Sequence, residues 1–369
     1  MRVGSWLGRV GRAVVARFPT EKMNVRDLVG AKEVPAHRMS WAYYLGGLAI
    51  FFFLIQVVTG LMLLFYYKPT VSDAYLSVEY LTDAVPGGAL IRNLHAWASS
   101  AMIGTVFLHL LTTFGMKAFI KPREITWLSG VVLLLVTLGF GFTGYLLPWN
   151  QIAVNATKVG LQSVEELRAY LPAAVAEWPR VLRETFQGEA SIGQATLSRF
   201  FALHVVVLPV IVALLLGVHL LSVQLHGMSQ GVDKPTGRAE RFFPFFLMKD
   251  FTVWGIAFIV LFVLALALPF DAFTAYPLLE PFNALGATPD GIKPEWYFLF
   301  MYYPLQLVPF WVVFVVMNVI VLALAFAPWL FRRTSRKMLS VLAAVAIVYI
   351  VGISIFGHQI YMLFKGHPL

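Results

Sequence analysis

Seven runs of this chain are apolar for long enough to cross a bilayer, near 42–66, 94–116, 127–148, 201–225, 251–269, 306–328 and 339–362. A hydrocarbon core about 30 Å thick takes about 20 helical residues. Within it, only structures that satisfy every backbone polar group internally persist. The runs therefore predict an all-α membrane protein with seven transmembrane helices, here called spans A to G. Composition agrees, since 59% of the 369 residues are hydrophobic and only 13% charged, against about 25% charged in soluble domains.

Lysine and arginine set the expected orientation. Eight precede span A, three lie between B and C, four between D and E (Lys234, Arg238, Arg241, Lys249) and four between F and G (Arg332, Arg333, Arg336, Lys337), nineteen of the 28 in all. In an up-and-down arrangement these segments share one side. The positive-inside rule makes that side cytoplasmic, with the N-terminus there and the A–B, C–D and E–F loops and the C-terminus outside. The net charge of +9 is then a topological signal and a match to anionic lipid, so nucleic acid is not expected as a partner. Residues 1–40 read as a basic amphipathic surface segment, in which Arg2, Arg9, Arg12 and Arg17 accompany an apolar stripe of Trp6, Leu7, Val10, Val14 and Val15. That pattern is interfacial, and the arginines break up any signal-peptide core. The remaining expected units are a four-helix domain over 41–226, a linker over 227–250 and a three-helix C-terminal domain over 251–369. Between spans C and D, Ser163-Val-Glu-Glu166 reads as a capping box opening an amphipathic helix through Leu167, Leu171, Val175 and Trp178.

Cysteine is absent, which removes disulfides, iron–sulfur ligation and thioether-linked haem. Ionisable chemistry within the membrane then rests on histidine. Of eight histidines, His95 and His109 sit in span B and His204 and His219 in span D. Polar groups at that depth are costly and generally functional. The spacings of 14 and 15 residues are about four helical turns, or about 21 Å, so each pair shares roughly one helix face with one member near each surface. Spans B and D run parallel, which pairs His95 with His204 towards the outside and His109 with His219 towards the inside. Two bis-histidine sites suit two non-covalently bound b-type haems. Glycines repeat the interval, Gly46 and Gly60 in span A and Gly130 and Gly144 in span C, and their lack of a side chain admits a flat macrocycle. Pro209 is expected to bend span D and absorb the phase difference between the two histidine spacings.

Several stretches carry a family resemblance: Tyr44-Leu-Gly-Gly through Gln56-Val-Val-Thr-Gly60, Phe65-Tyr-Tyr-Lys-Pro-Thr-Val-Ser-Asp73, Lys121-Pro-Arg-Glu-Ile-Thr-Trp127, Gly144-Tyr-Leu-Leu-Pro-Trp149 and Pro294-Glu295-Trp296-Tyr297. From about Tyr43 to Trp329 the chain resembles cytochrome b of the quinol:cytochrome c and quinol:plastocyanin oxidoreductases, in its plastid and cyanobacterial form. That form is split after four helices. Here the polar link joins the two parts into a seven-helix fusion.

The resemblance implies the catalytic cytochrome b subunit of such a complex, with a Rieske iron–sulfur protein and a c-type cytochrome as partners and the complex as a homodimer. It implies quinol oxidation outside, with one electron passing through the two haems to an inner quinone site and protons translocated. Pro294, Glu295, Trp296, Tyr297, Gly144 and Tyr145 correspond to the outer quinol site, with Glu295 as proton acceptor beside Tyr297. Asp250 and His226 correspond to the inner quinone site, and Arg92 and Arg199 to haem-propionate forks. Three departures stand out: Tyr44 replaces the cysteine that attaches an extra haem, and Thr112 and Gln224 stand where basic residues are usual. The first argues against a covalently attached third haem, and the others leave the inner propionates to Lys117 or other groups. Fusion and the missing cysteine favour a prokaryotic plasma membrane. Two other classes use intramembrane histidine: the di-haem anchor of a dehydrogenase or hydrogenase, which needs no Pro294–Tyr297 motif, and a cofactor-free proton-relay transporter, which needs no matched glycines.

Overall fold

The computed structural model describes residues 32–232, 234–270, 280–286 and 292–365. The expected basic surface helix before Phe18 lies outside the described residues. Those described form helices α1 (Tyr43–Leu64), α2 (Ala74–Asp83), α3 (Gly88–Gly115), α4 (Glu124–Leu146), α5 (Gln151–Glu165), α6 (Trp178–Gln187), α7 (Gln194–Ala202), α8 (Leu208–His226), α9 (Leu247–Ala267), α10 (Trp296–Leu307), α11 (Phe310–Ala325) and α12 (Arg336–Lys365). One small antiparallel ladder, β1 (Glu33–Val34) on β2 (Glu240–Arg241), clamps the segment before α1 to the segment entering α9.

Among the described residues, six helical stretches are long and apolar enough to cross a membrane: Ser40–Leu64, Gly88–Gly115, Glu124–Leu146, Gln194–His226, Phe242–Ala267 and Arg336–Lys365. They coincide with spans A to E and G. Span F is shorter than the sequence predicts, because α11 has 16 residues, or about 24 Å of helix. Proline cuts it at both ends. Val308 is extended before Pro309, and Pro328 belongs to a separate turn, Ala327–Leu330, as expected of a residue without an N–H that disfavours helix before it.

The membrane-crossing helices keep large apolar side chains exposed, such as Leu214 at 68% and Val348 at 71%. That surface suits lipid rather than water. Helices α1 and α3 pack as one pair and α4 and α8 as another, while α9 lies on α1 and α3, α11 on α4, and α12 on α3 and α10. Phe114, Phe119, Trp127 and Leu339 knit α3, α4 and α12 together at one end. Ala74, Leu146, Trp149, Leu197 and Phe200 close the other.

Helices α7 and α8 join through a π-turn, Leu203–Val207, which contains His204 and ends two residues before Pro209. A π-turn takes one residue more than an α-turn, so the 15-residue interval of span D projects its histidines much as 14 residues do in α3. Proline at 209 cannot donate to Val205 and its ring crowds that carbonyl, which favours the widened turn at that point. Sequence reasoning gave this role to a bend, whereas the inserted residue performs it.

The capping box at Ser163 does not open a helix. Asn150 caps α5 instead, its side chain accepting from the Ala153 N–H at 2.8 Å, and Ser163 lies in the last turn of that helix with its hydroxyl on the Val159 carbonyl. The amphipathic surface helix expected there starts later, at Trp178.

Candidate di-haem and quinol site

The four membrane histidines fall into pairs at two levels. Rings of His95 on α3 and His204 before α8 face each other with centroids 6.5 Å apart. With metal–nitrogen bonds of about 2 Å, two imidazoles on opposite sides of one metal ion have centroids about 6 Å apart, so this first level fits a shared iron. His109 and His219 line a single second-level cavity.

Each histidine is backed by one of the four glycines. A β-carbon would lie 3.3 Å from Cε1 of His109 at Gly46, of His95 at Gly60 and of His219 at Gly130, and 2.6 Å from Cε1 of His204 at Gly144. The matched intervals thus exist because α1 presses its glycines on the α3 histidines, and α4 its glycines on those of span D. Contact is with the imidazole edge, a tighter requirement than the macrocycle clearance read from the sequence.

The residue before three of these glycines carries a hydroxyl on the same ring. Thr59 Oγ1 lies 2.9 Å from His95 Nδ1, Thr143 Oγ1 3.1 Å from His204 Nδ1 and Ser129 Oγ 3.1 Å from His219 Nδ1. Thr59 and Thr143 also donate to carbonyls one turn back, at Ile55 and Gly139. Each can therefore accept from Nδ1–H and fix the tautomer that leaves Nε2 free as a ligand. His109 Nδ1 has no partner among the described residues, because Leu45 precedes Gly46. These hydroxyls escaped sequence reasoning, although Thr-Gly, Ser-Gly and Thr-Gly at fixed intervals were there to be read.

Two stacked cavities lie between the helix pairs, of about 420 and 370 Å³. Phe53, Met102, Thr137 and Phe140 line both and form the wall between them. The first also takes in Arg92, Gly144, Tyr145, Glu295 and Tyr297, uniting most of the expected outer site. Arg199 is elsewhere: its guanidinium donates to the Glu184 and Thr185 carbonyls at the end of α6. Pro294 does not line the cavity, and Trp296 turns to α3, its ring against Gly104 and its Nε1 3.4 Å from Ser100 Oγ.

Glu295 immediately precedes α10, and its side chain makes no capping bond there. A merely capping role is thereby disfavoured. Burial pushes its carboxyl up to about 7. Tyr297 is 4% exposed and is admitted by Gly141, where a β-carbon would lie 2.8 Å from the phenol oxygen. The loop before α10 is latched to α5: Gln151 N–H donates to the Glu280 carbonyl at 3.0 Å, Gln151 Oε1 accepts from the Asn283 N–H at 2.8 Å, and Asn150 bridges to Pro281.

In the second-level cavity, Asp250 packs against Gly47, and its Oδ1 is buried without a partner among the described residues. His226 contributes its carbonyl to Arg123, at 2.9 Å, and does not line the cavity. Tyr43, Lys32, Arg123 and Gln224, none predicted as site residues, do line it. Tyr43 donates to the Ser229 carbonyl at 3.1 Å and meets His37 Nε2 at 2.7 Å. Lys117 is directed away, its ammonium on the Thr334 carbonyl at 2.8 Å.

Family models for "Cytochrome b/b6/petB" and "Cytochrome b(C-terminal)/b6/petD" match residues 30–227 and 281–363. A cytochrome bc complex cytochrome b subunit from Chlorobaculum thiosulfatiphilum is 46% identical over 276 residues, covering 74% of this chain and 61% of that protein. The chain thus spans less than two thirds of that relative's length. Cytochrome b6 of Synechococcus sp. (strain CC9605) is 40% identical over 212 residues, covering 57% of this chain and 93% of that one. A solved chain of a "Hyperthermophilic respiratory Complex III" superposes with a TM-score of 0.79 at 26% identity, covering 94% of both chains. With paired histidines and their glycines within residues 30–227, the Glu295–Tyr297 loop within 281–363, and a family model matching each stretch, the chain belongs to the cytochrome b/b6 family.

Proposed function

We propose that this chain is the cytochrome b subunit of a bc-type quinol oxidoreductase, oxidising quinol at the Glu295 end and delivering electrons across the membrane to a second quinone site. The observation that carries the reading is a pair of histidines at each of two levels, His95 and His204 with rings 6.5 Å apart and His109 and His219 lining one cavity, each ring backed by a glycine. Two b-type haems held by His95 with His204 and by His109 with His219 would supply a one-electron conduit along the bundle.

The chain's own residues account for the rest of the chemistry. Tyr145 and Tyr297 line the first-level cavity beside Glu295, and the preceding loop is latched to α5. Glu295, with a carboxyl near 7, is suited to accept a proton from quinol as the substrate is oxidised. Arg92 offers a fork to a propionate at that level. Asp250, buried against Gly47, is suited to hand a proton to quinone at the second level. His226 offers its carbonyl to Arg123, and Arg199 anchors α6.

Orientation follows from charge and parity. The basic loop before α12 and the basic link before α9 belong on the cytoplasmic side, and α9 leads away from it. One further crossing must therefore return the chain, and α11 is the element available, completing seven. The quinol site then faces outward in a prokaryotic plasma membrane, the N-terminus is cytoplasmic and the C-terminus outside. A Rieske iron–sulfur protein and a c-type cytochrome are the partners this chemistry requires, in a dimeric complex.

The test is the reduced-minus-oxidised spectrum and pyridine-haemochrome stoichiometry of the purified complex beside a His204→Ala variant. Two b haems in this chain, one of them lost in the variant, support the assignment. A folded, colourless parent would sink it and favour a proton-relay transporter.

A further inference from the structure

Helix α11 has two unlike sides. Towards α4 it buries Val313, and the Trp127 indole fixes the far end of that side by donating to the Leu324 carbonyl at 2.6 Å. On the other side Trp311, Val315, Asn318 and Leu322 are all exposed. Their spacing of i, i+4, i+7 and i+11 makes one stripe, because rotation of about 100° per residue brings the four within about 60° of each other. That is the spacing of a seam between two packed helices.

Asn318 is the misfit in this stripe. One of its amide N–H groups donates to the Phe314 carbonyl, a turn back, at 2.8 Å. The second N–H and the amide oxygen have no partner among the described residues. An amide taken out of water needs its hydrogen bonds replaced, and lipid tails replace none of them. Asn318 is the ninth of 16 residues in α11, so it stands about 12 Å from either end of the helix. Its short side chain cannot reach the headgroups as a long cationic one does.

A donor and an acceptor left over at mid-depth, on a seam spaced for helix packing, call for a helix that offers both in return. A carboxylate cannot donate and an ammonium cannot accept, whereas an amide or a hydroxyl does both. A second copy of this chain fits poorly. At the end of the stripe the Trp311 ring lies 5.7 Å from that of Tyr170, which is itself 59% exposed. A twofold axis normal to the membrane would bring a second Tyr170 to the same end and hold the two helices apart. A lone helix brings no such loop.

We propose that the stripe from Trp311 to Leu322 is the docking seam for a single transmembrane helix of another subunit, apolar along its contact face and presenting one amide or hydroxyl side chain to Asn318. The inference rests on α11 crossing the membrane, as read above. Interhelical hydrogen bonds of this kind hold transmembrane helices together where burial of apolar surface gives no net drive.

The test uses the intact complex with photoreactive benzoylphenylalanine placed at position 315, 322 or 320. Irradiation should join this chain through 315 and 322 to the same subunit, within its one apolar span. Ile320 is exposed but about 180° round the helix from Trp311, so position 320 should not give that product. Asn318→Leu should lower retention of the same subunit through detergent washing by about threefold to tenfold, the worth of one interhelical hydrogen bond. Asn318→Gln should retain it, and the haem spectra of both variants should match the parent. Products with lipid or detergent alone, or with a second copy of this chain, overturn the proposal, as does full retention in Asn318→Leu. The crossing is checked separately in sealed vesicles, where an impermeant thiol reagent should label Val308→Cys and Arg333→Cys from opposite sides. Labelling of both from one side overturns the crossing itself.

Discussion

Gly144 lies so close to His204 that a β-carbon on it would stand 2.6 Å from Cε1 of the imidazole. The ring is simultaneously held by Thr143 at Nδ1, so it cannot swing aside without losing that bond. Gly144→Ala should therefore displace His204 and cost about 1–3 kcal/mol, as overpacking of a filled site does. Gly60→Ala, where the same distance is 3.3 Å, should be milder. Thermal unfolding and haem content of the two variants, side by side, check the order. Equal effects would show that the close approach at Gly144 does not hold the ring.

Removing a hydroxyl that orients a ligand weakens metal binding by about 10–100-fold where such partners have been replaced. Thr59→Val and Thr143→Val should each loosen the first-level haem by that order while sparing the second. Haem retention during dilution into detergent measures it. Unchanged retention would mean that the Oγ1 contacts at 2.9 and 3.1 Å do not select the tautomer.

Glu295→Gln should slow quinol oxidation by about a hundredfold or more, the usual scale for losing a positioned base. With its carboxyl near 7, the accepting form is the ionised one, about a tenth of the population one pH unit lower. The parent rate should therefore climb as pH rises through about 7 and level off above it. The Gln variant should be slow and lack that inflection. A parent profile flat from pH 6 to 8 would remove Glu295 from proton transfer.

Gln151 holds the loop that precedes Glu295 through its side-chain bond to the Asn283 N–H. Breaking a buried bond of this kind costs about 1–3 kcal/mol, so Gln151→Ala should slow quinol oxidation about tenfold or more and expose the loop to limited proteolysis. Both haem spectra should stay as in the parent. A change in haem content would mean that Gln151 supports the bundle rather than the loop.

Much of this was legible in advance for a physical reason. Helices in lipid have a length set by the bilayer and a face set by their few polar residues, so His95, His109, His204 and His219, with their glycines, could be paired by arithmetic on 3.6 residues per turn. The family motifs supplied Glu295, Tyr297 and Tyr145. What stayed hidden depends on where long side chains end rather than where they begin. Arg199 starts five residues before His204 yet terminates on α6 carbonyls, and Lys117 starts near α3 but ends at Thr334. Lys32 reaches the second-level cavity only because a two-residue ladder holds it there, and nothing in the local pattern signals a contact 192 positions away. Span F is shorter than its hydropathy for a different reason, since hydropathy averages across Pro309 and Pro328 while the backbone does not.

Phe53, Met102, Thr137 and Phe140 face both cavities at once, so neither chamber has a wall of its own at the midplane. A larger side chain at any of these positions intrudes on two neighbours together, and a smaller one opens a passage between them. Divergence within such a protein is thus freest at the two outer ends, where each chamber has private contacts, and most restricted halfway through the membrane.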